Sequence, residues 1–247
     1  MSNPLIAKLE HGVDLTDADR AVLNDLVRQI RTVGARQTII SEGERPEFVY
    51  LVLDGFACRY KTLKDGSRQN MAYLVPGDFC DLHIAILDAM DHTIATLSPC
   101  TVVDIPRHAI LDITDRYPRI ARALWWCTLV DEGTLREWLL NIAQREADQR
   151  LAHLFCELLV RLQAVGLADA NSYALPITQD ELADTLGITS VHTNRTLQTL
   201  READLITLRS KRLTIHDVAR LRDYCDFDPR YLHLTMRKNG ADDRQRL

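Results

Sequence analysis

Two hydrophobic periods divide the chain. Over residues 14–31, Leu15, Ala18, Val22, Leu26 and Ile30 recur at helical spacing, and Thr16 followed by Asp19 has the form of a capping box, so an amphipathic helix is predicted. After Gly34 the period shortens. Runs rich in β-branched and aromatic residues at 37–40, 48–53, 56–63, 67–75, 93–97 and 101–105 alternate with turn signals such as Asp54-Gly55, Lys64-Asp65-Gly66 and Pro76-Gly77-Asp78. Asp-Gly between two strand-like runs is a hairpin signal, and several short strands at close spacing predict a small antiparallel barrel or sandwich. Residues 107–116 predict a short helix, which Pro118 separates from the next.

Residues 119–165 contain no proline and a single glycine, Gly133. Leu124, Thr128, Asp131, Leu135, Trp138 and Ile142 advance by alternating steps of four and three, roughly a coiled-coil seam, with Ala123, Cys127 and Val130 widening the apolar surface. A long helix of this kind needs a partner. The expected one is the same helix of a second copy in a C2 dimer, and the other option is the β-rich half of its own chain. A second helix is predicted from about residue 147 to 165, with Leu151, Leu154, Phe155, Leu158 and Leu162 on one face, a hinge at 145–148 before it and a polar loop at 166–174 after it.

The stretch ITQDELADTLGITSVHTNRTLQTLREADLITL, residues 177–208, reads as two short helices around a tight turn. Thr178 with Glu181 is a capping box, Gly187 can take positive φ and end the first helix, and Thr189 caps the second. Val191, Leu197 and Leu200 are expected on the inner face of that second helix, with Ser190, His192, Thr193, Asn194 and Arg195 at its exposed N-terminal end. A helix offering Ser, His, Asn and Arg at its start can enter a major groove, although the same spacing also fits an ordinary helical hairpin. Two short apolar runs, 205–208 and 213–215, then predict a β-hairpin whose turn, Arg209-Ser210-Lys211-Arg212, is basic enough to meet phosphates.

Charge sharpens this. The 247 residues carry a net charge of −5, yet from Gly187 to His216 five basic residues face two acids, so a local basic patch sits on an acidic chain. Six cysteines without a CxxC pair read as small buried residues of a reducing compartment. No export signal is seen at the start of the sequence, and no run approaches the roughly 18 apolar residues of a membrane span. A cytoplasmic location without membrane contact is expected.

The motifs Gly43-Glu44, Tyr50-Leu51-Val52-Leu53-Asp54-Gly55, Pro76-Gly77-Asp78-Phe79 and the strand 102–106, followed in order by a long helix and a helix-turn-helix, resemble the cyclic-AMP receptor protein/FNR (Crp/Fnr) family of bacterial transcription regulators. The resemblance implies an α+β chain. An effector-sensing, cyclic-nucleotide-binding-like β-roll (a double-stranded β-helix) would occupy residues 1–118, with a dimerisation helix over 119–146, a winged helix-turn-helix over 147–230 and a tail over 231–247. It implies double-stranded DNA with an inverted repeat as partner, a homodimer through 119–146, and RNA polymerase as a further partner if the protein activates. Base contacts map to Ser190, Val191 and Arg195, and Asn194 joins them by its chemistry. Thr178, Thr189, His192, Arg209, Lys211 and Arg212 complete the candidate DNA-contact set.

The effector pocket implied by the same resemblance comprises Gly77, Asp78, Phe79, Cys80, Asp81, Leu82, His92, Thr93, Leu135 and Arg136. Asp81 stands where nucleotide-binding members carry a ribose-binding Glu. His92-Thr93 stands where they carry a phosphate-binding Arg followed by Ser or Thr, and Leu135 and Arg136 fall at the mid-helix contact positions. A neutral His is a poor substitute for a bidentate guanidinium, so cyclic nucleotide is not expected and the effector is left unknown. With no cysteine in residues 1–57, an iron–sulfur cluster is not expected either, and no cofactor is assigned. His83 and His92 can hydrogen-bond within the roll or ligate haem or a metal. The latter opens an alternative, a cupin-like metal-dependent enzyme using His83, His92 and Asp81.

Overall fold

Asn3 accepts a hydrogen bond from the Leu5 amide and Pro4 takes the first helical position, so the chain enters α1 (Pro4–Leu9) at once. The computed structural model describes residues 3–234. Thr16 and Asp19 form the expected capping box on α2 (Asp17–Leu26). That helix is shorter than its apolar period, because Ile30 leaves it to begin β1 (Ile30–Val33). The β-roll continues through β2 (Thr38–Ile40), β3 (Phe48–Asp54), β4 (Ala57–Thr62) and β5 (Arg68–Leu74). A 3-10 turn (Leu82–Ala85) leads to β6 (Thr93–Thr96) and β7 (Cys100–Pro106). Two antiparallel sheets result, ordered β1-β7-β3 and β2-β6-β4-β5, and α1 and α2 close one end with Leu5, Leu9, Leu15 and Leu23 buried.

The roll is followed by α3 (Arg107–Arg116), the long α4 (Pro118–Gln144), a break at Arg145-Glu146, and α5 (Ala147–Ala164). The loop expected at 166–174 instead ends in β8 (Ser172–Ala174). Then come α6 (Gln179–Leu186), α7 (Ser190–Glu202), β9 (Ile206–Arg209), β10 (Arg212–Ile215) and α8 (Val218–Tyr224). The wing is thus a three-stranded sheet, β8-β10-β9. Tyr231, Leu232 and Leu234 of the tail pack on the C-terminal core, while residues 235–247 lie outside the described residues.

One expectation needs correcting. The proposed seam of α4 does not face outward as a unit. Leu124 and Trp138 are buried in their own chain, Trp138 donates to Glu157 at 2.9 Å, and Asp131 pairs with Arg59. The exposed apolar stripe is offset, running through Trp125 (65 % exposed), Leu129, Leu135, Leu139 (71 %) and Ile142. A helix with apolar residues over most of its circumference has two faces to satisfy, and spacing alone does not say which meets the roll.

The roll and the C-terminal elements share a hydrophobic core. Phe56, Cys58, Tyr73, Val75 and Leu97 pack in one cluster with α5, α6, α7 and the wing. Polar contacts pin α6 to β5. The buried Asn70 amide donates to the Glu181 carbonyl at 2.9 Å and to Thr185 Oγ1 at 3.2 Å, and the Tyr73 hydroxyl lies 2.5 Å from Thr185 Oγ1. A buried carboxylate, Asp78, ties three segments together. It accepts from Lys8 of α1 at 2.5 Å, from Arg161 of α5 at 2.7 Å and from the Val75 amide at 2.8 Å. Gly77 beside it has φ +93°, and a Cβ there would sit 2.7 Å from the Pro4 carbonyl oxygen, so α1 closes directly over this turn.

Burial alone would raise the Asp78 carboxyl, but Lys8 and Arg161 override it and hold it down from 3.8 to about 2. A group with a lowered folded pKa stabilises the fold above its unfolded pKa, and that contribution fades as pH falls from 3.8 through about 2. Asp78→Asn leaves Lys8 without its carboxylate and Arg161 with Glu157 alone, and should cost about 3–5 kcal/mol at neutral pH by urea denaturation. The difference from wild type should shrink below pH 3.8.

Candidate functional site

The start of α7 is built as a projecting reader. Thr178 accepts from the Glu181 amide while Glu181 accepts from Thr178 N–H, which fixes the entry to α6. Gly187, at φ +67°, ends α6 in the left-handed conformation and turns the chain. Thr189 then caps α7 by accepting from the His192 amide at 3.2 Å. Thr193, Thr196, Leu197 and Leu200 form the buried face of α7. Ser190, Val191, His192, Asn194 and Arg195 all stand exposed on the other side. Val191 is 66 % exposed, so it is not the inner-face residue its apolar nature suggested, and Thr193 takes that place.

Two of the candidate base-contacting residues are already held. Ser190 donates to Asp180, and Asn194 donates to Gln179 at 3.1 Å. Gln179 and Asp180, in the first turn of α6, were missed by the sequence reading, although their place beside the cap of a turn that folds back on α7 was the available signal. These bonds are solvent-exposed, so exchanging them for base edges costs little. At the wing, Ser210 and Lys211 both adopt positive φ, giving a tight hairpin tip on which Arg209 and Lys211 are exposed. Arg212 is turned back to Asp169 and to Ser172, at 2.8 Å from the latter, so its charge is partly committed within the wing. Glu146 and Asp148, at the break between α4 and α5, share a groove with Val191, His192 and Arg195.

A second site lies between the roll and α4. A cavity of about 430 Å³ is lined by Arg59, Leu82, His83, Asp91 and His92 of the roll and by Asp131, Glu132 and Leu135 of α4. Leu82, His92 and Leu135 of the expected pocket are there. Asp81 does not line it. It is fully buried, with Oδ1 accepting from the Tyr50 amide at 2.8 Å and Oδ2 unpartnered, and burial raises its carboxyl to about 7. Phe79 and Cys80 are buried, contributing carbonyls that accept from Arg59 at 2.9 and 3.0 Å. Thr93 accepts from the Glu42 amide, Gly77 is pressed against α1, and Asp78 is spent on its two cations. Arg136 pairs with Glu132 on the outer side of α4.

Arg59 is the principal residue missed in this cavity. It sits on β4, bonds the roll's carbonyls and reaches Asp131 of α4 at 3.0 Å. An arginine in the middle of a strand was the signal. His83 and His92 face each other with ring centroids 5.7 Å apart, and with Asp91 they bring one possible ligand atom each within 4.8 Å of one another. The trio His83, His92 and Asp81, required for the cupin-like alternative, is not assembled, because Asp81 turns into the roll. Burial lowers the pKa of both histidines. All six cysteines are free and buried, and burial raises the thiols of Cys58 and Cys100 to about 11. No helix among the described residues is long and apolar enough to cross a membrane.

A β-roll, a long helix and a capped helix-turn-helix with a basic wing together define a DNA-binding transcription regulator, and known proteins agree. A cyclic nucleotide-binding domain model matches residues 30–117, and a Crp-like helix-turn-helix domain model matches residues 149–224. The chain is 30 % identical over 210 residues to the transcriptional activator protein FnrL of Cereibacter sphaeroides, covering 83 % of this chain and 84 % of that one. It is 26 % identical over 185 residues to the nitrogen fixation regulation protein FixK of Azorhizobium caulinodans, covering 74 % of each. The solved structure of FixK2 from Bradyrhizobium japonicum superposes with a TM-score of 0.72 at 25 % identity, covering 80 % of this chain and 97 % of that one. The chain belongs to the Crp/Fnr family of transcription regulators. The cupin-like enzyme reading finds no support among these relatives.

The candidate contacts on α7 and on the wing predict different behaviour. Arg195→Ala should cost ~1–3 kcal/mol of operator binding and relax preference at one base position. Lys211→Ala should weaken binding to all duplexes alike and flatten the salt dependence by about one unit of slope. Fluorescence anisotropy across a salt series on matched and mismatched duplexes separates the two.

Proposed function

We propose that this regulator works as a homodimer that reads an inverted-repeat operator, with α7 of each copy in a major groove and the β-roll cavity responding to a small effector. The observation that carries the reading is the exposed cluster Ser190, Val191, Asn194 and Arg195 on a helix whose opposite face is buried. Ser190 can bond several base edges, Val191 can meet a thymine methyl, Asn194 can grip an adenine and Arg195 a guanine. The wing residues Arg209 and Lys211, with the amides at the starts of α6 and α7, supply phosphate contacts that set affinity rather than sequence.

The dimer reading is supported by the exposed stripe of α4. Trp125, Leu129, Leu135 and Leu139 form an apolar band on a long helix, the kind of surface that soluble chains bury against a partner. Leu135 also lines the cavity, so an effector seated there would touch the dimer helix directly. Such an effector shifts the protein between states only by the difference of its affinities for them. Relatives described as transcriptional activators support placing RNA polymerase among the partners and the cytoplasm as the place of action.

Selection from a random duplex pool tests the operator. The expected outcome is a two-fold symmetric motif with half-site centres about 10 bp apart, and enrichment without symmetry or without sequence would overturn the dimeric reading. In parallel, Leu139→Asp should convert the dimer to monomer by sedimentation at micromolar concentration and abolish tight operator binding while leaving the fold intact by circular dichroism.

A further inference from the structure

We propose that His83 and His92, with Asp91, form a binding site for a divalent transition-metal ion at the edge of the cavity between the β-roll and α4. The two histidines come from different elements. His83 lies in the 3-10 turn after β5, and His92 lies immediately before β6. Their Nε2 atoms are both buried without a hydrogen-bond partner. His92 is only 7 % exposed, and both rings line the cavity. Two unpartnered imidazole nitrogens beside one cavity are an unusual cost for a fold to carry unless something binds them.

The rest of the arrangement fits a metal ligand set. Asp91 Oδ1 lies 2.6 Å from His92 Nδ1. That contact places the Nδ1 proton against the carboxylate and leaves the Nε2 lone pair free, the orientation that carboxylates impose on metal-binding histidines. Asp91 serves either in this orienting role or through an oxygen of its own, and its ligand atom lies within 4.8 Å of those of both histidines. Burial disfavours the protonated form of both rings, and the neutral imidazole is the form that binds metal.

Charge around the cavity points the same way. The wall holds one guanidinium, Arg59, and three carboxylates, of which Asp131 is paired with Arg59 and Glu132 with Arg136, leaving Asp91 beside His92. Arg59 is already engaged by Asp131 and two carbonyls. With Arg59 engaged, the carboxylate left beside the two histidines favours a cation there. Two nitrogen donors and a carboxylate suit Zn²⁺, Co²⁺, Ni²⁺ or Fe²⁺, whereas Mg²⁺ and Ca²⁺ prefer oxygen alone. Water would complete the coordination. The site lies on the roll's side of a cavity whose other wall is α4; any effect of the ion on DNA binding rests on the regulator reading above, while the metal site itself does not.

Tag-free, chelator-stripped full-length protein is titrated with Co²⁺ and followed by its visible d–d absorption and by calorimetry, then with Zn²⁺ in competition. One ion per chain is expected, with an absorption spectrum showing nitrogen ligation. His83→Ala and His92→Ala should each abolish stoichiometric binding, Asp91→Ala should weaken it about 10–100-fold, and His108→Ala on α3 should change nothing. Thermal unfolding of each variant checks that it folds, and His83→Gln and His92→Gln serve where the alanine variants do not. No binding by the wild type, or equal affinity in the folded His83 and His92 variants, overturns the site. A shift in operator affinity on adding Zn²⁺ is measured separately, so that a metal site without a DNA effect is distinguished from no metal site.

Discussion

A carboxylate buried as deeply as Asp78 is tolerable only if its charge is matched, and the match comes from two distant segments. Lys8 arrives from α1 and Arg161 from α5, so neutralising one residue of the Pro-Gly-Asp turn fixes the N-terminal helix on the roll and the first helix of the C-terminal half beside it. Once α5 is placed, α6 and α7 follow, because they pack on it and share its core. Asn70 and Tyr73 of β5 then complete the register by bonding Glu181 and Thr185. The orientation of the DNA-reading helix is therefore set by buried polar contacts to the roll, in addition to the helix that precedes it.

Two chains of contacts join the cavity wall to the C-terminal half. One runs along α4, whose Asp131 is held by Arg59 and whose outer stripe is the proposed dimer surface. The other runs from β5 directly into α6. Arg59 on β4 and Asn70 and Tyr73 on the neighbouring strand β5 belong to one sheet. Anything that alters the cavity wall acts on a sheet whose edge strand grips the first helix of the reader. Both routes are made of hydrogen-bonded and close-packed groups, which favour discrete arrangements over gradual deformation.

Much of this was legible in the residues. Both capping boxes, the left-handed Gly187 and the Asp-Gly turn are local chemistry, fixed by neighbours a few positions apart, and they appear in place. Six strands of the roll were found to within one or two residues for the same reason, while β1 was read as the end of the helix before it, because Ile30 continues that helix's apolar spacing. What escaped was decided by distant contacts. β8 reads as a polar loop until β10 lies beside it. The inward face of α4 could not be told from its outward face, since Leu124 and Trp138 are no more apolar than Trp125 and Leu139. Val191 was read inward because it is apolar, yet its side faces solvent where DNA would lie. In the cavity, His83 and His92 were visible as a pair, but the choice of Asp91 over Asp81 depended on which carboxylate the roll turns inward to the Tyr50 amide.

If two copies of α7 read one duplex, the footprint on DNA must carry their two-fold symmetry. Hydroxyl-radical footprinting of the full-length protein on a selected duplex should show two protected segments on one face of the helix, related by a two-fold axis and centred about 10 bp apart. A single protected segment, or uniform protection that persists when the selected bases are scrambled, would contradict it.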